Sequence, residues 1–323
     1  MLQASIVIRC YNEEQHIGRL LSGIMQQTVE DVEVILVDSG STDATLSIAS
    51  RYPVRILAIP PEEFSFGRSL NMGCTAATGE FIVIASAHVY PVYRDWLAKL
   101  LAPFADPQVA LVYGKQRGDR TTQYAEHRVF AQWYPEETSL CQKHPFCNNA
   151  NAAIRRELWE NFTYDEELTG LEDLHWANRI IDQGHCLAYV AEAEVVHVHD
   201  ETPAQTYNRY RREAMAFKRI FPEERFGLGD CIGLWAANVW NDYRHAWRDG
   251  VGAQEGLRIA RFRLMQFWGT YVGYRQHQAL NQQLRRTFYY PNHSSCEVDD
   301  VDRERANLEI QYDRAWAQAD EAR

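Results

Sequence analysis

Short apolar runs alternate with longer amphipathic ones through the N-terminal third of the chain. Residues 4–8, 33–37, 54–59 and 81–85 are apolar on both faces, as suits strands covered by helices on either side of a parallel sheet. Between them, residues 13–25, 43–52 and 67–77 carry helical periodicity. Ile17, Leu20, Leu21 and Ile24 share one face of the first, and Thr42-Asp43 offers an N-cap to the second. This alternation predicts βαβ units and a doubly wound, mostly parallel α/β sheet. Such sheets bind ligands at the carboxyl ends of their strands, so chemistry is expected just after each apolar run.

Further on the pattern mixes. Residues 109–113, 187–190 and 194–198 read as strands, and 172–183 as a helix ended by Gly184. From Thr202 the chain reads as mostly helix. A Gly-containing break at 225–229 divides an expected catalytic domain, residues 1–224, from a helical extension, residues 225–323. The extension interleaves Trp235, Trp240, Trp247, Trp268 and Tyr271 with Arg258, Arg261 and Arg263. Two uses stay open for it: packing or homodimer formation, and an interfacial helix in peripheral contact with a membrane.

Composition narrows the partners. A net charge of -11 argues against a general nucleic-acid binder, which needs a basic surface, yet leaves room for a local basic pocket. The seven cysteines are odd in number, scattered and without a C-x-x-C pair, which reads as reduced thiols in a cytosolic protein. No secretory leader pattern opens the sequence, and no run approaches the ~18 apolar residues of a membrane span. The expected location is cytoplasmic, at most peripheral at the inner face of the membrane.

The polar residues stand where the sheet places them. Cys10-Tyr11-Asn12-Glu13-Glu14 follows the first strand, and Val37-Asp38-Ser39-Gly40-Ser41-Thr42-Asp43 the second. A carboxylate ending a buried strand needs partners. Asp38 can accept from a ribose hydroxyl or base N–H, or it can simply hold a turn.

With S-I-V-I-x-x-Y-N-E-E before E-V-I-L-V-D-S-G-S-T-D, then F-G-R-S-L-N-M-G and A-A-T-G-E, the chain resembles family-2 glycosyltransferases of the GT-A fold over roughly residues 4–220. The pattern is similar to a rhamnosyltransferase-like bacterial subgroup. The resemblance implies an inverting transfer of a hexose or deoxyhexose from a UDP- or dTDP-sugar to a glycan or lipid-linked hydroxyl acceptor, in glycan biosynthesis. It implies a donor site formed by Tyr11, Asn12, Glu13, Asp38 and Ser39, with Arg68 on the next helix. Asn149 and Asn151, in a cluster of amides suited to sugar hydroxyls, and Arg209, a partner for the leaving diphosphate, extend that site.

The family's D-x-D motif is absent: Ser86-Ala87-His88 stands after the fourth strand. His88 can ligate a metal or contact the diphosphate directly. Val196-His197-Val198-His199 places two histidines on one face of a strand; the resemblance implies that one of them can be a metal ligand, and His199, beside His88, is the expected one. The cofactor is then a divalent ion, Mn²⁺ or Mg²⁺, with a metal-independent site as the alternative. Gly170-Leu171-Glu172-Asp173 supplies the acid–base chemistry. An acceptor hydroxyl must lose its proton as it attacks, and the resemblance makes Asp173 the base and Glu172 its support. Gly170 is expected to give the turn its freedom, and the helix N-terminus to depress the carboxylate pKa. A catalytically inactive nucleotide-sugar-binding protein is the rival reading, on account of the missing D-x-D carboxylates.

Overall fold

The computed structural model describes residues 3–276 together with 309, 310 and 312. The four apolar runs form β1 (Ala4–Cys10), β2 (Val32–Asp38), β3 (Val54–Ala58) and β4 (Phe81–Ser86), all parallel, in the order β3-β2-β1-β4. The intervening helices are α1 (Ile17–Ile24), α2 (Thr45–Ala49) and α3 (Phe66–Ala76). Alternate strand residues feed two cores. Ile6, Ile8, Val34 and Leu36 pack with Ile17, Leu20, Leu21 and Ile24 on one face. Val7, Ile35, Val37 and Ile82 pack with Leu70 and Cys74 on the other. Burying such a side chain contributes about 1.5–3 kcal/mol, so both-face apolarity fixes the strands in the interior. The first helix starts at Ile17, later than expected, because residues 13–16 form turns. The N-cap of α2 is Ala44, one residue later than expected, while the Asp43 carboxylate accepts from the Thr45 N–H at 2.9 Å.

The later strands are β5 (Val89–Pro91), β6 (Val109–Arg117), β7 (Ser139–Gln142), β8 (Asn151–Arg155) and β9 (Cys186–His197). β8 enters antiparallel between β4 and β6, β9 runs parallel to β6, and β5 and β7 lie antiparallel on β9. The runs 187–190 and 194–198, expected as separate strands, belong largely to the single strand β9. Its register against β6 shifts between Gly114 and Gln116, and such an irregularity interrupts the sequence pattern without ending the strand. Among the remaining helices are α4 (Trp96–Leu101), α5 (Tyr124–Trp133), α6 (Arg156–Asn161) and α7 (Glu172–Asp182). α7 ends as expected before Gly184, at φ 91°.

Three long helices follow: α8 (Pro203–Ile220), α9 (Leu228–Arg248) and α10 (Gly252–Arg275). α10 lies so close on α8 that a Cβ at Gly269 would fall 2.5 Å from the Tyr207 carbonyl oxygen, and one at Gly273 2.4 Å from that of Arg211. The helices after residue 225 share a core with Leu174 of α7 and Ala214 and Phe217 of α8. Arg263 pairs with Asp242 at 2.7 Å, both buried, and donates to the Ala125 carbonyl of α5 at 3.3 Å. The extension therefore braces α5 and α8. Trp235 donates to the Ala260 carbonyl, whereas Trp240 and Trp247 are each 65% exposed. Among the described residues no helix is long and apolar enough to cross a membrane.

The cysteine reading needs correction. Cys141 and Cys186 form a disulfide between β7 and β9, so cysteine usage does not argue for a reducing compartment. The pairing was hidden because these two lie 45 residues apart. Cys10, Cys74, Cys147 and Cys231 are free and buried, and Cys296 lies outside the described residues.

Candidate functional site

The sheet register gathers the strand-end residues. Cys10 stands opposite Asp38, and Arg9 opposite Ser86. Asp38 is buried, and its carboxylate accepts from the N–H groups of Gly40 and Ser41, each at 3.0 Å. The Ser39 hydroxyl donates to the Cys10 carbonyl at 3.1 Å. Asn12, one of two non-glycine residues at positive φ among the described residues, accepts from the Thr42 N–H at 2.8 Å. This corner is thus held open by its own loops, with the Tyr11 ring exposed beside it.

Beyond it lies a cavity of about 280 Å³, lined by Arg9, Phe66, Ser86, His88, Asn149, Glu172, Asp173, His197, His199, Arg209 and Arg212 among others. Glu172 and Asp173 open α7 on its floor. Glu172 takes an ion pair from Arg9 at 3.1 Å, and the Arg9 guanidinium lies over the Phe66 ring with Arg212 nearby over the same ring. Asp173 accepts from the backbone N–H groups of Asn149 at 2.9 Å and Leu174 at 2.8 Å. Two expectations are overturned here. Burial, then the negative charge of Glu172, pushes the Asp173 carboxyl up to about 7, so the helix N-terminus does not prevail. The strained backbone is at Leu171, φ 57°, not at Gly170.

Asn149 is 4% exposed, and both polar atoms of its side chain lack a hydrogen-bond partner. A buried amide facing a cavity in that state costs free energy until a ligand satisfies it. Asn151, expected as its companion, is a core residue. It is fully buried, accepts from the Trp96 indole at 2.9 Å, and donates to the carbonyls of Lys115 and Ala193. Arg68 also stands apart from the cavity, paired with Glu63 at the surface, where α3 points it outward.

The other wall is built from distant segments. Pairing of β5 with β9 sets Val89 opposite His197, and the Val198 N–H donates to the His88 carbonyl at 3.1 Å. His88, His197 and His199 thereby converge, one nitrogen from each lying within 4.8 Å of the others. His88 donates through Nδ1 to Glu13, His197 to Gln116 and His199 to Glu126, each at 2.7 Å. Burial pushes His197 and His199 well below the ordinary imidazole range, which keeps them in the neutral, metal-ligating form. Glu126, on α5, also accepts from Arg209 of α8 at 2.6 Å, and Arg209 in turn pairs with Glu201. Thr202 and Gln205 form a capping box that starts α8.

The structure therefore brings together Glu13, Ser86, His88, Asn149, Glu172, Asp173, His199 and Arg209. It adds Arg9, Gln116, Glu126 and His197, which the strand-end motifs do not flag. The H-x-H spacing marked His197 as a neighbour. Glu126 has no signal at all, since one glutamate within a helix looks like solvated surface.

Comparison with known proteins gives a consistent picture. Residues 5–162 match the family described as Glycosyl transferase family 2. The chain is 34% identical over 198 residues to the O-antigen chain rhamnosyltransferase WbaN of Salmonella anatum, covering 57% of this chain and 62% of that relative. It is 29% identical over 222 residues to the O-antigen chain rhamnosyltransferase RfbN of Salmonella typhimurium, covering 65% of this chain and 70% of the relative. Among solved structures it is similar to the mannosyltransferase PcManGT from Pyrobaculum calidifontis in complex with GDP-Man and Mn2+. The TM-score is 0.60 at 21% identity, covering 84% of this chain and 85% of that one. It is also similar to S. aureus TarS 1-349 in complex with UDP-GlcNAc, with a TM-score of 0.55 at 17% identity, covering 85% and 92%.

Proposed function

The chain belongs to glycosyltransferase family 2 and has the GT-A fold, and from that premise we propose that it transfers a sugar, with inversion, from a nucleotide-sugar donor to a hydroxyl acceptor. The observation that carries the reading is the buried Asp173 on the cavity floor, next to the unsatisfied Asn149 amide. Residues 1–224 would form the catalytic unit, and α9 and α10 the part of the extension that braces it; the rest of the expected extension, from residue 277, lies outside the described residues apart from 309, 310 and 312. The donor would be a UDP- or dTDP-activated hexose or deoxyhexose, the rhamnosyltransferase relatives making a rhamnosyl donor the first to assay. The acceptor would be a glycan or lipid-linked hydroxyl.

In the transfer, the acceptor oxygen bonds to the anomeric carbon on the face opposite the diphosphate while its proton passes to an Asp173 oxygen. The bond from that carbon to the diphosphate oxygen breaks, and the nucleoside diphosphate leaves with the electron pair. Asp173 must be ionised to act, and a pKa near the working pH suits it to both taking up and releasing the proton. Asn149 can donate to one sugar hydroxyl and accept from another. Arg9 holds Glu172 in place and keeps the carboxylate pair tolerable. Asp38 and Ser39, with Tyr11 beside them, would receive the nucleoside. The convergent imidazoles fit a divalent ion, which would be held by His88 and His199 and would offset the charge of the departing diphosphate.

The test is Asp173→Asn. Turnover is expected to fall by about 10²-fold or more, with donor affinity by calorimetry nearly unchanged. Near-normal turnover would remove Asp173 as the base, and an anomeric configuration retained in the product would remove inversion.

A further inference from the structure

We propose that His197 is a third metal ligand, so that His88, His197 and His199 form an all-imidazole centre that takes borderline ions such as Zn²⁺ or Co²⁺ and rejects Mg²⁺. The argument starts from hydrogen positions. The Nδ1 atoms of His197 and His199 point at the carbonyl-type oxygens of Gln116 and Glu126 at 2.7 Å, and a carboxylate oxygen can only accept. Each ring then carries its proton on Nδ1 and a bare lone pair on Nε2. Those two Nε2 atoms face one another at 3.0 Å, a contact in which neither can donate. A cation between them resolves it. A proton would join two nitrogens, but three converge, since His88 is anchored through Nδ1 to Glu13 and turns its Nε2 towards the same place, beside the Ser86 hydroxyl at 3.1 Å.

The dimensions suit a small ion. Bonds of ~2.1 Å in tetrahedral array set ligand nitrogens about 3.4 Å apart. The observed nitrogens lie within 4.8 Å of each other, with one pair at 3.0 Å. The outer ring of Glu13, Gln116 and Glu126 is the arrangement that fixes the tautomer and aim of metal-bound imidazoles. Mg²⁺ demands oxygen ligands, whereas imidazole suits zinc and its neighbours. Three neutral ligands also leave the ion its full double charge, which a carboxylate ligand would reduce. The competing arrangement turns the Gln116 amide over, using its otherwise unpartnered Nε2, so that it donates to His197, which then donates to His199 with no ion present.

The experiment titrates the chelator-stripped, refolding-checked full chain with Co²⁺, Zn²⁺, Mn²⁺ and Mg²⁺, read by metal content and by the visible absorption of bound Co²⁺. One equivalent of Co²⁺ is expected, with an intense low-coordinate spectrum, displaced by Zn²⁺ and unaffected by excess Mg²⁺. His197→Ala should weaken Co²⁺ binding by at least about 100-fold. Truncating a buried imidazole can also unfold the chain, so Gln116→Ala, which leaves all three rings, is the second variant and should weaken binding about 10–100-fold. Absence of Co²⁺ binding in the wild type, full displacement by Mg²⁺, or unchanged binding in a folded His197→Ala overturns the proposal. The ion's purpose rests on the transferase reading, but its binding does not. Metal uptake without transfer leaves this centre standing and sinks the transferase; transfer by metal-free protein leaves the transferase standing and takes away the ion's purpose in it, while the binding titration alone decides the centre.

Discussion

The strand-end corner beside the cavity and the cavity's far side, two walls of one site, are built in opposite ways. On the strand-end side, Asp38 is held by N–H groups two and three residues away, and the loop that closes over it is Ser39-Gly40-Ser41. On the far side, Glu126 holds His199 from 73 residues away and Arg209 from 83. The first wall joins the ends of two neighbouring strands through bonds between residues no more than 30 apart. The second exists only because α5, β9 and α8 are locked together, and α10 does much of that locking through Gly269, Gly273 and Arg263. A local wall is suited to holding a ligand and a long-range one to linking charges, so damage to each should register differently.

The sharpest break of the comparison is Glu126→Ala. It strips the partner from a buried imidazole and from Arg209 at once, and removing one member of a buried ion pair costs about 3–5 kcal/mol. Chemical denaturation should show a loss in that range. A loss below about 1 kcal/mol would mean that the far wall does not depend on this glutamate.

Asp38→Ala should do less to the fold and more to the ligand. A nucleoside diphosphate should bind more weakly by about 1.5–3 kcal/mol, the usual worth of a hydrogen bond to a charged group. Calorimetry showing unchanged affinity, together with lost stability, would reduce Asp38 to a turn residue, which its bonds to Gly40 and Ser41 also allow.

The same contrast explains what could be read beforehand. β1 to β4 and Asp38 are legible because both-face apolarity and a strand-end carboxylate are features of consecutive residues. Asp173 and His88 follow from their order after those strands. Asn151 misled because an amide beside Asn149 looks alike in sequence, and only the fold shows that Trp96, Lys115 and Ala193 have already satisfied it. Arg9 was passed over because its partner Glu172 lies 163 residues away. The disulfide was missed for the same reason: pairing distance is a property of the fold.

The smallest expected effect tests the floor that joins the two walls. Asp173 is raised to about 7 by burial first and by Glu172 second. A base works only when ionised, so kcat/KM should rise with pH through about 7 and level off above it. Glu172→Gln removes the negative charge that disfavours ionisation of Asp173. It also frees Arg9, whose positive charge favours that ionisation. Both changes lower the Asp173 pKa, so the rise should move to lower pH, by up to about one unit, equivalent to ~1.4 kcal/mol. The displacement between the two profiles, not either profile alone, reports on the pair. A displacement to higher pH would make Glu172 a net stabiliser of the ionised base. No displacement would mean that burial alone sets the pKa of Asp173 and that Arg9 and Glu172 serve only to hold the turn at Leu171.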